Sequence, residues 1–380
     1  MIPYGRQNIN DEDIAAVVAT LRSDWLTQGP AVPEFEKAIA LYCGARYAVA
    51  VNSATSALHI AYLALGLSHG KRLWTTPNTF VATANAALMC GAQVDFVDID
   101  PDTQNLSVLR LEEKLALANR DNCLPDIVVP VHFSGRACYM AAIHALSKQY
   151  GFAIVEDASH AIGGEYLSGR IGNGAYADCT VFSFHPVKLI TTGEGGMVLT
   201  QRNDLWEKLI RLRSHGITRD PLLMVKPQEG EWYYEQLELG WNYRMPDILA
   251  ALGKSQLARL DQFVECRRTL AERYNRSFEY SDLITPFLDK KSAWHLYVVQ
   301  LPVDVDRRRV FEQLRVQSIG VNVHYIPVHL QPYYATLGFR CGQFPEAERY
   351  YRRALSLPLY PGLTNMQQDF VVDALAGCLT

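Results

Sequence analysis

A lysine ends the string Ser183–Lys188, shortly before the glycine-rich turn Gly193–Gly196. The apolar residues before this string predict a strand, so Lys188 is expected just beyond a strand end. A lysine amine becomes nucleophilic when a dry pocket or nearby positive groups weaken its hold on a proton. Glycines beside it allow a cofactor to come close. Taken alone, the pattern fits a surface lysine with a solvated ammonium better, so it needs support from elsewhere in the chain.

A second reactive feature is the run Ala153–His160, in which an apolar strand ends in Glu156 and Asp157. Open α/β sheets bind ligands at the carboxyl ends of their strands. A carboxylate at that edge could pair with a protonated ring nitrogen. Pyridoxal phosphate (PLP) needs such a partner, because a protonated pyridine ring is an electron sink. A helix cap or a metal-binding aspartate would explain Asp157 equally well at this stage.

The third feature is the run Asn52–Leu58, where a β-run ends at Val51 and small hydroxyl residues open an apolar helix. The start of a helix offers unpaired N–H groups and the positive end of the helix dipole, and both can hold a phosphate. Serine and threonine are also favoured helix caps. By itself the run favours this simpler explanation.

The order of these three features is far more specific than any one of them. A phosphate-binding helix start, a carboxylate after a strand and a lysine after a later strand follow one another in PLP enzymes of the aspartate aminotransferase fold. The combination therefore predicts PLP as the cofactor. It also predicts an α/β protein of the PLP-dependent transferase fold type I.

The elements that must position these residues are visible as a rhythm over residues 46–200. Alanine- and leucine-rich segments such as Ala57–Leu65 and Met140–Tyr150 separate several short apolar runs. The seven runs are Tyr47–Val51, Arg72–Thr76, Val94–Ile99, Ile127–Val131, Ala153–Glu156, Thr180–Phe184 and Met197–Thr200. Strands alternating with helices predict βαβ units and a large, mostly parallel seven-stranded sheet.

The last third of the chain has a different pattern. Leucines at helical spacing predict one long amphipathic helix over Pro246–Phe278, which could connect two domains. We therefore expect a large PLP-binding α/β domain over residues 1–250 and a smaller α+β domain over residues 251–380. The predicted elements of the smaller domain are strands at Trp294–Leu301 and Gly320–Tyr325 and helices at Arg307–Gln317 and Pro345–Ala354.

Composition narrows the class of protein further. The chain has 380 residues, 49% of them hydrophobic and 20% charged, which is ordinary for a globular enzyme with a sizeable core. Its net charge of −4 argues against nucleic acid as a partner. None of the eight cysteines forms a CxxC pair, and we expect no metal site. Without an apolar N-terminal stretch or a run of about 18 apolar residues, we expect a cytoplasmic protein that does not bind membranes.

Longer strings resemble one family over nearly the whole chain, from about Pro3 to Pro361. These strings are Trp25–Pro30, Thr76–Phe80, Glu156–Ala158, Ser183–His185 with Lys188, and Gly240–Met245. They are similar to the DegT/DnrJ/StrS family of nucleotide-sugar aminotransferases. Because the strings are long and lie in the same order, the chain is identified as a member of this family.

The resemblance implies roles for individual residues. Lys188 matches the family's Schiff-base lysine, and Asp157 matches the partner of the pyridine nitrogen. His160 matches a position beside the oxygen of the cofactor ring, and we expect it to take part in catalysis. Phe80 matches the aromatic side chain that stacks on the face of the cofactor.

The family also implies how the cofactor phosphate is bound. Thr55, Ser56 and Ser183 match its ligands within one chain. Asn242 matches a residue that reaches the phosphate bound by the neighbouring subunit. This resemblance implies a homodimer with shared active sites.

Within the family, four strings resemble members that serve pseudaminic acid biosynthesis: Tyr4–Gln7, Val131–Gly135, Val155–Gly164 and His324–Tyr334. Those members transfer an amino group from L-glutamate to C4 of a UDP-linked 4-keto-6-deoxy-N-acetyl sugar. The resemblance implies the same two substrates here. The substrate-binding residues that we expect are Tyr4, Thr27, His185, His324, Tyr325 and His329.

Three other functions remain to be weighed. A sibling aminotransferase could act on another nucleotide sugar, as in the 4-amino-arabinose and perosamine pathways. A dehydratase of the family carries histidine in place of the Schiff-base lysine, so Lys188 argues against it. A regulator that binds PLP without catalysis would normally carry an added DNA-binding domain, for which the chain has no room.

Overall fold

The computed structural model describes residues 1–226 and 229–379; Thr380, the last residue of the predicted smaller domain, lies outside them. Its helices are α1 Asp11–Leu21, α2 Ala31–Cys43, α3 Ala54–Ala64, α4 Ala82–Met89, α5 Val108–Arg120, α6 Met140–Tyr150, α7 Asn203–Arg213, α8 Asp247–Leu257, α9 Leu260–Ser277, α10 Arg307–Val316, α11 Pro332–Thr336, α12 Pro345–Arg353 and α13 Asn365–Leu379. Its strands are β1 Tyr47–Val51, β2 Arg72–Thr75, β3 Gln93–Phe96, β4 Ile127–Val129, β5 Ala153–Asp157, β6 Glu165–Tyr166, β7 Gly169–Arg170, β8 Cys179–Ser183, β9 Gly196–Thr200, β10 Ile217–Thr218, β11 Glu235–Gln236, β12 Tyr297–Gln300 and β13 Ala354–Leu357. No helix in the described ranges has both the length and the apolar character needed to cross a bilayer.

Seven strands form the central sheet, in the order β1-β9-β8-β5-β4-β2-β3. The five neighbouring strands β8, β5, β4, β2 and β3 run parallel to one another. Strand β9 is antiparallel to both of its neighbours, β1 and β8. All seven apolar runs of the sequence supply one of these strands. The predicted mostly parallel seven-stranded sheet is therefore confirmed.

Apolar side chains are buried on both faces of the sheet, which explains why its strands are continuous apolar runs. On one face the core includes side chains from α2, α5 and α6. On the other face it includes side chains from α3, α4 and α7. Every residue of β8 and of β9 is buried between these layers.

The prediction of one long helix over residues 246–278 is wrong, because the chain turns between α8 and α9. Arg259 has a non-helical backbone (φ −109°, ψ 3°) at this corner. Its guanidinium pairs with Asp13 and donates a 2.7 Å hydrogen bond to Asn8 Oδ1, so the corner is tied to the chain around the start of α1. Since α8 packs on α1 and α2, it belongs to the part of the molecule that contains the central sheet. The domain boundary near residue 250 stays a prediction.

The C-terminal part of the chain contains a two-stranded antiparallel sheet, β12 with β13. Its core includes side chains of α9, α10 and α13. The predicted strand Gly320–Tyr325 is wrong: it forms only a single bridge, from Asn322 to Ser356. The side chain of Asn322 accepts a 2.8 Å hydrogen bond from the N–H of Val323, which competes with strand pairing at the next residue.

The two parts of the molecule share a further apolar cluster, in which Phe96 and Ile99 pack with Phe344 and other side chains of the C-terminal part. Next to it, the carboxylate of Asp98 accepts hydrogen bonds from the backbone N–H groups of Glu346 (2.9 Å) and Ala347 (3.0 Å). These N–H groups belong to the first turn of α12. A residue of the larger part therefore caps a helix of the smaller part.

Candidate active site

A cavity of about 610 Å³ opens at the carboxyl ends of β5 and β8. The start of α3 forms one wall, and the segment 322–325 from the C-terminal part forms another. The predicted site residues that line it are Tyr4, Thr55, Phe80, Asp157, His160, Ser183, His185, Lys188, His324 and Tyr325. The edge of the sheet where α/β proteins bind ligands thus brings together most of the predicted residues.

Asp157 is the last residue of β5 and is only 5% exposed. Its Oδ2 accepts a 2.7 Å hydrogen bond from the hydroxyl of Thr83, and its Oδ1 accepts one of 3.1 Å from the N–H of Ser159. Donors to both oxygens suit an ionised carboxylate, which is a pure acceptor. The carboxylate is therefore held in one orientation at the cavity wall.

Lys188 lies in the turn after β8 and is partly buried. Burial lowers the pKa of its ammonium to about 8, although the carboxylate of Asp157 acts in the opposite direction. A glycine is needed nearby, because a Cβ on Gly196 would lie 2.5 Å from the backbone of Ser53. This close approach lets the start of β9 pass directly beside the start of α3. The amine of Lys188, with a pKa of about 8, is available as a nucleophile and as a base near neutral pH.

The start of α3 has the arrangement that a phosphate requires. The hydroxyl of Ser53 accepts a 3.1 Å hydrogen bond from the N–H of Ser56 and so caps the helix. The N–H groups of Ala54 and Thr55, in the first turn, have no partner within the helix. Ser56 is not part of the cavity lining, and its hydroxyl donates a 2.6 Å hydrogen bond to Asn52. Both the cap and the phosphate interpretations of this run thus have support.

His160 and Tyr325 form a pair in the cavity wall, with 3.0 Å between His160 Nε2 and the tyrosine oxygen. Burial lowers the pKa of His160 well below its usual value, and the positive charge of Lys188 lowers it further. The imidazole is therefore neutral at physiological pH. Phe80 is 59% exposed and lines the same cavity, so one face of its ring is free to stack on a ligand.

Tyr4, His185 and His324 also line the cavity. His185 is exposed at the rim, and the rings of Tyr4 and His324 pack at 5.5 Å between centroids. Nδ1 of His324 lies 2.7 Å from the hydroxyl oxygen of Ser356. Burial lowers the pKa of His324 to about 3, with a smaller effect from Lys188, so this side chain presents a neutral surface.

Besides Ser56, three predicted residues lie outside the cavity of their own chain. Thr27 is exposed and pairs its backbone with Pro246. His329 is fully buried, and its Nε2 lies 2.9 Å from a carboxylate oxygen of Glu348. Asn242 is exposed; its backbone forms a β-bridge with Ser214, and its carbonyl accepts a 3.5 Å hydrogen bond from the side chain of Asn52.

Among the residues that the fold brings to the cavity and that sequence patterns missed are Thr83, His295 and Asn322. Thr83 follows Phe80 by three residues, and residues at this spacing share a face of a helix. A helix predicted at this point would therefore have placed both side chains on the same side. His295 lies inside a run that predicts a strand, and Asn322 lies in another. No spacing within these runs marks either residue as part of a site.

The groups in the cavity match PLP in chemical type. Lys188 offers an amine for the aldehyde, Asp157 a carboxylate for the ring nitrogen, and the start of α3 N–H groups for the phosphate. The sheet order and these three groups define a PLP-dependent enzyme of fold type I.

Comparison with known proteins gives the family. Residues 7–376 match the DegT/DnrJ/EryC1/StrS aminotransferase family. A Campylobacter jejuni protein named UDP-4-amino-4,6-dideoxy-N-acetyl-beta-L-altrosamine transaminase is 40% identical over 384 residues, which cover 100% of this chain and 98% of that protein. The chain belongs to the DegT/DnrJ/EryC1/StrS family, and it is a PLP-dependent sugar aminotransferase.

Solved structures agree with this assignment. Helicobacter pylori PseC, described as an aminotransferase involved in the biosynthesis of pseudoaminic acid, matches with a TM-score of 0.91 and 31% identity, covering 100% of this chain and 99% of that one. NtdA from Bacillus subtilis, with bound cofactor PMP, matches with a TM-score of 0.84 and 27% identity, covering 98% and 83%. The predicted fold type and the predicted cofactor are therefore confirmed.

Proposed function

We propose that this enzyme transfers the amino group of L-glutamate to C4 of a UDP-linked 4-keto-6-deoxy-N-acetylhexose, in pseudaminic acid biosynthesis. The observation that carries the proposal is the likeness, over the whole chain, to the C. jejuni transaminase and to PseC. Both of these proteins are named for this sugar chemistry.

We infer the roles of the PLP-binding residues from their places in the cavity and from the family resemblance. PLP, when bound, supplies an electron sink and carries the amino group between donor and acceptor. Asp157 keeps the ring nitrogen protonated, and Thr83 holds the carboxylate in place. Lys188 would hold the cofactor through its amine, and the same amine could accept and release the proton at the donor's Cα. A pKa of about 8 suits a group that must both accept and release a proton.

One side of the cavity is lined by polar, uncharged groups. Tyr4, Asn322 and His324 line one side of the cavity, and burial keeps His324 neutral. Neutral donors and acceptors suit the hydroxyl and acetamido groups of a sugar, because they bind without leaving a buried charge unpaired. We assign this wall to the sugar, with His185 and Tyr325 beside it.

A homodimer with shared sites is part of the proposal. The side chain of Asn242 is exposed and lies outside its own cavity, so its amide is free to reach a phosphate bound by a second copy. Thr27 and His329 stay proposals as substrate residues, although the cavity of one chain supports neither. The cytoplasmic location that the sequence favours also stays a prediction.

An assay against a panel of acceptors tests the substrate. The purified enzyme, loaded with PLP and supplied with L-glutamate, should aminate a UDP-4-keto-6-deoxy-N-acetylhexose much faster than the GDP- or dTDP-linked 4-keto sugars. Product formation is followed by chromatography and mass spectrometry. Preference for a GDP- or dTDP-linked sugar would place the chain with a sibling subfamily, and dehydration without amination would contradict the proposed reaction.

A further inference from the structure

Arg267, in the middle of α9, is only 1% exposed. Its Nη1 donates hydrogen bonds to three carbonyl oxygens, those of Leu359 (2.8 Å), His295 (3.1 Å) and Trp294 (3.3 Å). Burial lowers the pKa of this guanidinium to about 10, so it remains a cation at neutral pH. No carboxylate among the described residues forms an ion pair with it. A buried cation without such a partner is expensive, and this one needs an explanation.

The carbonyls that Arg267 holds belong to an unusual turn. Trp294 has φ +49°, in the left-handed region that bulky residues rarely adopt. The N–H of His295 donates a 2.8 Å hydrogen bond to the carbonyl of Ser134. A Cβ on Gly135 would lie 2.8 Å from the nitrogen of Trp294 and 2.9 Å from the carbonyl oxygen of His160. The turn is therefore locked against the loop at residues 134–135 and the backbone of His160.

This turn places the ring of His295 against the ring of His160, with 4.4 Å between centroids and 44° between planes. His160 in turn bonds Tyr325 at 3.0 Å. Both histidines line the cavity. Burial lowers the pKa of His295 well below its usual value, and the positive charges of Lys188 and Arg267 act in the same direction. The pair of imidazoles is therefore neutral.

We propose that Arg267 is a positioning residue of the active site, which acts through His295 to fix His160 and Tyr325 in the cavity wall. The guanidinium has only donors, so it satisfies the carbonyls of the strained turn and accepts nothing in exchange. Its charge also opposes protonation of the adjacent His295. Strain of this kind persists where the surrounding structure enforces it, and it is concentrated at functional sites.

The competing explanation is that Arg267 only joins α9 to the C-terminal part, since it also holds the carbonyl of Leu359. A purely structural role would lower stability without slowing the chemistry of the folded enzyme. Four variants separate the two explanations: Arg267→Met, His295→Ala, His295→Phe and the double variant Arg267→Met/His295→Ala. Arg276→Met is the matched control, because Arg276 lies on the same helix and is exposed.

The measurement is the maximal rate at which an amino donor converts bound PLP, followed by visible absorbance. The donor is whichever L-amino acid the wild type accepts, so an error in the proposed substrates does not affect the comparison. We expect Arg267→Met and His295→Ala to lose about 10²-fold in this rate, as small misplacements in an active site can, with little change in the half-saturating donor concentration. His295→Phe keeps a ring against His160 and should recover most of the rate.

The double variant decides whether the two residues act as a unit. If Arg267 acts through His295, the double variant should be no slower than the slower single variant. Multiplied losses, or a folded Arg267→Met enzyme with the wild-type rate, would overturn the proposal. If Arg267→Met does not fold, His295→Ala still tests the second step: a wild-type rate there, or His295→Phe as slow as His295→Ala, overturns it.

Discussion

The hydroxyl of Thr83 and the carboxylate of Asp157 are joined by a 2.7 Å hydrogen bond, although 74 residues separate them in the chain. Thr83 is in the first turn of α4 and Asp157 ends β5. The bond therefore holds the carboxylate in its orientation from α4, an element that is distant in the chain from β5. The orientation of the proposed partner of the PLP nitrogen thus depends on a helix that sequence motifs do not connect with it.

We expect Asp157→Ala to slow transamination by at least about 10²-fold, the lower end of what a positioned acid–base group contributes. The ring nitrogen would lose the carboxylate that keeps it protonated. Asp157→Glu should be milder, since it retains a carboxylate. Thr83→Val should slow the reaction by at least about tenfold, since a hydrogen bond to a charged group contributes about 1.5–3 kcal/mol. Steady-state rates measure both, and near-wild-type turnover by Asp157→Ala would reduce this carboxylate to a residue that only stabilises the turn after β5.

Lys188→Ala should abolish both the covalent attachment of PLP and turnover, because no other lysine lines the cavity in the described part of the chain. The wild-type protein should be yellow, and borohydride should bleach its visible band and fix the cofactor to the peptide that contains Lys188. Mass spectrometry of the digested protein locates the attachment. A variant that still transaminates would contradict the assignment.

The rate at which the apoenzyme captures PLP should depend on pH through Lys188. Burial lowers the pKa of its ammonium to about 8, and only the neutral amine attacks the aldehyde. Below that pH the rate should fall about tenfold per pH unit, since a tenfold change in the neutral fraction accompanies each unit; above it, the rate should level off. His324, with a pKa lowered to about 3 by burial, does not titrate in this range. Stopped-flow absorbance measures the profile, and a midpoint above pH 10 would contradict the structure.

Subunit mixing tests whether Asn242 acts across a dimer interface. Two inactive variants, Lys188→Ala and Asn242→Ala, are allowed to exchange subunits. If Asn242 serves the neighbouring site, each heterodimer has one site with both residues intact, and its activity should approach half that of the wild-type dimer. Mixing that restores nothing would place Asn242 in the site of its own chain. The test requires that Asn242→Ala alone be nearly inactive.

Stability should depend on Asp98, because it supplies the cap that Phe344 cannot provide to α12. Asp98→Ala should lower the free energy of unfolding by about 1–2 kcal/mol, the usual cost of losing a helix cap. Asp98→Asn keeps one acceptor oxygen and should lose less. Urea denaturation followed by circular dichroism measures the difference. Equal stability of Asp98→Ala and wild type would show that the cap contributes nothing.

Much of the part that contains the central sheet is predictable, because the sequence patterns that mark its strands are local. A strand buried on both faces must be an apolar run, so β1, β5 and β8 are visible in the sequence. Residues at the ends of these strands then meet at one edge of the sheet. For this reason the amino-acid sequence alone predicts that Asp157 and Lys188 lie close together.

Other parts depend on contacts between distant residues. The corner between α8 and α9 depends on the contact of Arg259 with Asp13, which lies 246 residues earlier. The apolar residues keep helical spacing across this corner, so the sequence pattern does not reveal it. His295 reaches the cavity because Arg267 and Gly135 hold its turn, and none of these leaves a local pattern. His329 stands in a string that resembles the family, yet the fold buries it against Glu348.

The capping of α12 by Asp98 also constrains how ligands reach Lys188. Rotation of one part against the other would strip two N–H groups of their acceptor and expose Phe96 and Phe344 to water. Closure of the cavity by a hinge motion between the two parts of the molecule therefore has an energetic cost. Phe80 lines the cavity and is exposed, so an acceptor can enter on that side without such a movement. We therefore expect the shape of this opening to affect which acceptors reach Lys188, before any chemical step.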